Sequence, residues 1–182
     1  MIMPLCVLLS AVIGVCWFGS FKNFTSVDIR FLWCPVAAAL AEFSMLPLWK
    51  LFGAGFKSWA FAPLVLSYAL LFLFLFSNLR LRGTLLMAAG AGANFAVIAA
   101  NGFLMPVASV PASGMTEFQS LRYVLMTDGA RLPFLADVLR LPLPLIGGYA
   151  SVGDLLLAAG ASVFLINIMR PQGGYFTGIR KI

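Results

Sequence analysis

Five apolar stretches, each near the length that crosses a bilayer, constrain this chain more than any other feature. They run over residues 2–18, 32–49, 59–79, 84–101 and 154–169. A spanning helix needs about 20 mostly apolar residues because each adds only about 1.5 Å along the axis. Hydrophobic residues make up 62% of the sequence and charged residues 10%. A sphere of 182 residues has too little interior to hide that much apolar surface from water. Lipid is the solvent that fits the excess. The expected fold is therefore an all-α polytopic membrane protein, about five transmembrane helices in a single membrane domain over residues 1–182.

The first stretch has no basic residue ahead of it and no small-x-small cleavage site after it, which favours a permanent helix over a signal peptide. Trp17, Trp33, Trp49 and Trp59 fall near the ends of stretches, where an indole prefers the interface. Cytoplasmic connections retain Lys and Arg. With the N-terminus outside, the inner segments hold Lys22, Arg30, Arg80, Arg82, Arg170, Arg180 and Lys181; the outer ones hold Lys50, Lys57, Arg122, Arg131 and Arg140. The expected address is thus the bacterial cytoplasmic membrane, N-terminus outside, with residues 170–182 as a cytoplasmic tail. Residues 102–153 are expected to form a long, partly helical extracytoplasmic cap between helices 4 and 5. Pro106, Pro111, Pro133, Pro142 and Pro144 limit any helix there, including an amphipathic stretch over 132–141, to two or three turns. Its Phe103, Leu104, Met105, Phe134 and Leu135 are too apolar for a solvated tail.

The twelve Lys and Arg against six Asp and Glu orient the chain rather than recruit nucleic acid. Histidine is absent, which removes the commonest metal ligand and the usual general base. Cys6, Cys16 and Cys34 are too widely spaced for a Cys-x-x-Cys site and read as inert apolar thiols. No cofactor and no metal are expected.

The informative polar groups lie within or beside the apolar stretches. Glu42, ten residues into the second, is expected to be protonated, paired or facing water. Asn94 and Asn101 project from one face of the fourth, either as interhelical adhesive or as the lining of a polar pocket that would also include Glu42, Met105, Ser151 and Asp154. The small residues Ala88–Ala93 and Ala158–Ser162 suit close packing of the fourth and fifth helices. Ser151-Val152-Gly153-Asp154 has the spacing of a capping box. Asp137 precedes Arg140 by three residues, as an interfacial ion pair would. Alternatively, Asp137 and Asp154 converge above the fourth helix, where two close carboxylates can share a proton and activate water.

Asn94-Phe95-Ala96-Val97-Ile98-Ala99-Ala100-Asn101-Gly102, Met105-Pro106-Val107, Phe134-Leu135-Ala136-Asp137 and Ser151-Val152-Gly153-Asp154-Leu155 resemble the signature of a bacterial family known only as domain of unknown function 5317. The resemblance spans nearly the whole chain and implies a small integral membrane protein with no assigned activity. Phe103 and Leu104 stand where a glycine and often a basic residue precede Met-Pro in that family, and Ala136 stands where glycine is usual. A partial resemblance to lipoprotein signal peptidase runs from Gly90 to Asn101 and from Ser151 to Asp154, but the aspartate that peptidase carries shortly after its asparagine has no counterpart in residues 102–105.

Three function classes follow. The first expectation is a non-catalytic subunit or interaction protein of a membrane complex, seated in the bilayer with a protein partner or further copies of itself. The alternative is a small transporter or lipid- or small-molecule-binding protein using Glu42, Asn94 and Asn101. The third is a membrane-embedded hydrolase built on Asp137 and Asp154.

Overall fold

The computed structural model describes residues 27–109, 114–141 and 148–169. The apolar stretch 2–18 and the tail 170–182 lie outside these residues. Most of the described chain is helical. The stretch expected as one span over 32–49 is two helices, α1 (Trp33–Phe43) and α2 (Met45–Phe52), continued by a 3-10 segment (Gly53–Trp59). Pro47 accounts for the break, because its ring collides with the carbonyl four residues back and it has no N–H to offer that carbonyl. Ser44 fills the joint: its N–H donates to Leu40 O at 2.9 Å and its hydroxyl to Ala41 O at 2.7 Å.

Three further helices, α3 (Phe61–Ser77), α4 (Thr84–Ala100) and α5 (Val152–Met169), lie within two residues of the stretches read from the sequence. Two helical segments, Trp33–Trp59 counted through its kink and α5, are long and apolar enough to cross a membrane. α3 and α4 have 17 residues each. Trp33, Val36, Leu40 and Phe43 form an exposed apolar stripe along α1, with Phe43 77% exposed.

The tightest contact joins α4 to α5. A Cβ on Gly90 would stand 2.5 Å from Gly153 O and 2.7 Å from Leu157 N, and one on Gly160 would stand 2.7 Å from Met87 N. The two backbones therefore touch, as small residues permit. Phe74, Leu75, Met87, Ala91, Leu157 and Ala161 pack around one half of this pair, and Leu64, Val97, Ile98, Met105 and Ala136 around the other. Asn78, fully buried in the turn between α3 and α4, anchors the chain entering α1. Its amide donates to Arg30 O and Phe74 O, each at 2.8 Å, and its Oδ1 accepts from Arg30 N at 2.9 Å.

The described residues of the 102–153 region fold over the Leu64–Val97 end of the bundle, where short strands stand in place of the expected helix. β1 (Met105–Val107) pairs in parallel with β2 (Tyr123–Leu125), with Met105 opposite Tyr123, and Val107 bridges in parallel to Asp137. β3 (Leu139–Leu141) pairs antiparallel with β4 (Gly148–Ala150), which leads into α5. Helical content in the described part of this region is limited to two single 3-10 turns, Gln119–Leu121 and Pro133–Leu135. The amphipathic helix considered over 132–141 does not form: Leu132 is left-handed at φ 54° and Ala136 extended, so the turn is closed off at both ends. Gly102 and Phe103 carry the exit from α4 through φ of 68° and 64°. Phe103 adopts without glycine's freedom a conformation that favours glycine, and its ring stacks on Phe61 at 5.3 Å.

Gly90 and Gly92 share a helix and differ only in what faces them. Gly90→Ala forces the α4–α5 backbones apart and is expected to cost about 1–3 kcal/mol. Gly92, with nothing within 4 Å of a Cβ, is expected to gain about 0.5–1 kcal/mol on replacement by alanine. Reversible denaturation in mild detergent measures both.

Candidate functional site

A cavity of about 140 Å³ lies between the helices and the strand frame, lined by Glu42, Tyr68, Asn94, Met105, Asp137 and Asp154, with Leu64, Ile98, Arg122 and Tyr123 completing the wall. Each carboxylate arrives on a different element. Glu42 comes from α1, Asp154 from the first turn of α5, and Asp137 from the segment after the Pro133–Leu135 turn.

Asp154 is held by two closed patterns of hydrogen bonds. The capping box forms as its spacing predicted: Asp154 N–H donates to Ser151 Oγ at 2.9 Å, and Ser151 N–H donates back to Asp154 Oδ2 at 3.3 Å. Asn94 closes a second ring across the helix pair. The Ser151 hydroxyl donates to Asn94 Oδ1 at 2.7 Å, and the Asn94 amide donates to Asp154 Oδ1 at 2.8 Å. Gly153 is required beneath it, because a Cβ there would collide with Asn94 Oδ1. Asn94 is thus both interhelical adhesive and cavity lining, and Ser151 lies fully buried behind the wall.

Glu42 is paired. Its carboxylate accepts from the guanidinium of Arg122, which precedes β2, and from the Ser67 hydroxyl of α3 at 3.0 Å. Both charged side chains are about one third exposed, at 31% and 32%. This differs from the exposed pair of Arg80 with Asp28 at 2.6 Å, which contributes little to stability, although Arg80 holds the Asp28 carboxyl below its ordinary range.

Asp137 is buried at 8% exposure and forms no ion pair with Arg140, which stands exposed on β3. The backbone explains the failure of the i,i+3 pairing: residues 137–140 are not helical, with a bridge at Asp137 and strand from Leu139, so side chains three apart do not face each other. The Asp137 backbone is bonded on both sides, its N–H to Pro106 O and its carbonyl from Ala108 N, each at 3.0 Å. Its side-chain Oδ1 has no partner. Burial, and then the charge of Asp154 facing it, push this carboxyl up to about 7. Burial also raises the Tyr123 hydroxyl.

Asn101 is not part of the cavity wall. Its amide donates to Val97 O and Arg131 O, at 2.7 and 2.8 Å, and its Oδ1 accepts from Arg131 N at 2.9 Å, fastening the loop to the end of α4. Among the described residues no group of three His, Cys, Asp or Glu converges as metal ligands. Sequence reasoning singled out Glu42, Asn94, Met105, Asp137 and Asp154, but not Arg122, Ser67, Tyr68 or Tyr123. Ser67 and Tyr68 look like ordinary members of an apolar helix, and Arg122 is 80 residues from its partner.

Because Asp137 is raised above its ordinary 3.8, the folded chain holds that proton more tightly than the unfolded chain. Its stabilising contribution is fully present below about pH 4 and is lost as pH rises through about 7. Thermal unfolding of Asp137→Asn against the parent is expected to show the variant gaining relative stability across that window, with the gap levelling off above about pH 8. Removing the other polar partner acts in the opposite direction. Arg122→Met leaves Glu42 unpaired at an expected cost of about 2 kcal/mol, and Glu42→Met together with Arg122→Met recovers most of it. A double-mutant cycle in denaturant checks this.

Comparison of the chain with known proteins gives one family. Residues 26–166 match DUF5317, a family of unknown function. No curated protein and no solved structure matches, and the partial likeness to lipoprotein signal peptidase gains no support. The match takes in both strand pairs, all five helices up to Ile166 and every residue of the cavity wall, and on that extent the chain belongs to the DUF5317 family.

Proposed function

We propose that this protein is a multi-pass membrane protein of the bacterial cytoplasmic membrane that binds a small molecule or a lipid head group in the cavity beneath its cap. The observation that carries this reading is the cavity itself, where three carboxylates, a guanidinium and an amide line a void in an otherwise apolar bundle. Polar groups are costly to bury, and a scaffold subunit gains more stability by filling such a space with apolar side chains. Convergent polar groups in a concave, largely apolar setting are the usual form of a ligand site. The exposed apolar stripe on α1 supports lipid as the surrounding solvent. In this reading the five apolar stretches all span, the N-terminus and the cap lie outside, and the tail lies in the cytoplasm.

A second reading, hydrolysis by an aspartate pair, has one observation in its favour: Asp137 and Asp154 line the same cavity. Against it, both Asp154 oxygens already accept hydrogen bonds that tie the helices together.

Native mass spectrometry of the full chain, extracted gently in lipid nanodiscs, is expected to show a stoichiometric bound small molecule or retained lipid. Ile98→Phe, which fills the cavity from α4, is expected to reduce that occupancy at unchanged helix content, since overpacking of this size costs only about 1–3 kcal/mol. An empty cavity with a stoichiometric protein partner on the apolar face would overturn the binding reading in favour of a complex subunit.

A further inference from the structure

The cavity wall is chemically one-sided. Three carboxylates face a single guanidinium, and the guanidinium and amide of the wall are already committed. Arg122 and Ser67 serve Glu42, while Asn94 and the Ser151 N–H serve Asp154. One acceptor is left over, Asp137 Oδ1, on a side chain more than nine-tenths buried and lining the void. An anion placed there would meet the carboxylates of Asp137 and Asp154, neither of which has an ion-pair partner among the described residues. A neutral hydroxyl would satisfy the oxygen without balancing its charge. Only a cationic donor does both.

Size and surroundings narrow the cation. The cavity of about 140 Å³ has room for a short organic group such as an aminoethyl group. Leu64, Ile98 and Met105 supply apolar wall for methylenes, and Tyr68 and Tyr123 supply aromatic rings of the kind that attract ammonium groups. A bare metal ion lacks its ligand set, because the three carboxylates, although they line one cavity, do not form a group able to hold a metal ion. Resting on the binding reading above, we infer that the cavity takes a primary ammonium group on a short carbon stem, with the Asp137 carboxylate as its counter-ion. The group is either the end of an aminophospholipid head group or a free small amine.

The charged groups around it set the pH response. Glu42 on α1 and Asp154 on α5 stay bonded to their own partners, Arg122 faces Glu42, and the other titratable groups of the wall are the phenols of Tyr68 on α3 and Tyr123 on β2. Asp137 is the acid whose ionisation the ligand needs.

The test uses the full chain in phosphatidylglycerol nanodiscs, with ethylammonium as the probe and ethanol and acetate as neutral and anionic controls of similar size. Ethylammonium is expected to raise the melting temperature at about pH 8 in a concentration-dependent manner, and the controls are not. Asp137→Asn is expected to abolish the shift while keeping the parent's circular dichroism. The parent's own affinity is expected to fall at least about tenfold at about pH 5, where Asp137 is protonated; this arm needs no variant to fold. In nanodiscs containing phosphatidylethanolamine, a head-group ligand occupies the site and removes the response to ethylammonium, whereas a free amine leaves that response intact; either result supports the ammonium assignment. An equal response to ethanol or acetate, or an Asp137→Asn variant that still responds to ethylammonium, overturns it. If native mass spectrometry then shows an anionic or neutral compound in the cavity, the cation assignment falls and the binding reading stands. If neither a bound compound nor a response to any probe is found, both fall.

Discussion

Everything at the site depends on how closely α4 and α5 approach. Gly90, Gly153 and Gly160 bring the two backbones into contact, and that distance lets the short side chains of Asn94, Ser151 and Asp154 close a ring with no water between them. A Cβ on Gly153 would displace the Asn94 amide, so the helix contact and the polar ring are one feature. The ring leaves Asp154 fully bonded, and the neighbouring Asp137 becomes the acid without a partner. The electrostatic character of the cavity therefore follows from the packing of glycines several ångströms away.

A second polar contact divides the labour differently. Glu42 sits on a helix whose other face is apolar and exposed, and its charge is compensated from the loop region by Arg122 rather than from the bundle. The short parallel pairing of β1 with β2 carries Arg122 to the edge of the cavity. Severing one member leaves the other charged in a poorly solvated place, which explains why such pairs persist even where an apolar pair would be at least as stable.

Much of this was legible from residue patterns. The extents of α3, α4 and α5 follow from runs of apolar residues, and the capping box at Ser151–Asp154 follows from a four-residue spacing with a local physical cause. The close packing of α4 on α5 was foreshadowed by their glycines and alanines. Local signals failed where geometry is set by distant partners. The pairing of Glu42 with Arg122, the bonding of Arg30 to Asn78 and the parallel strands at Met105 and Tyr123 have no signature within a few residues. Prolines in the region expected as a long, partly helical cap forbid long helices, yet they are equally compatible with the short strands that form among its described residues. Asn101 shares a helix face with Asn94 but lies at the frayed end, where the loop backbone claims its amide before any cavity can.

The order of synthesis gives the Asn94 ring a temporal dimension. Its partners lie 57 and 60 residues downstream, a stretch the ribosome takes roughly 3–12 s to complete at about 5–20 residues per second. In the membrane reading, α4 enters the bilayer carrying an amide whose permanent partners do not yet exist. During that interval the amide has to be met by water, by the insertion machinery or by a passing lipid carbonyl. In that reading the arrival of α5 releases the temporary partner, and the Asn94 bonds to Ser151 and Asp154 fix α4 as a wall of the cavity.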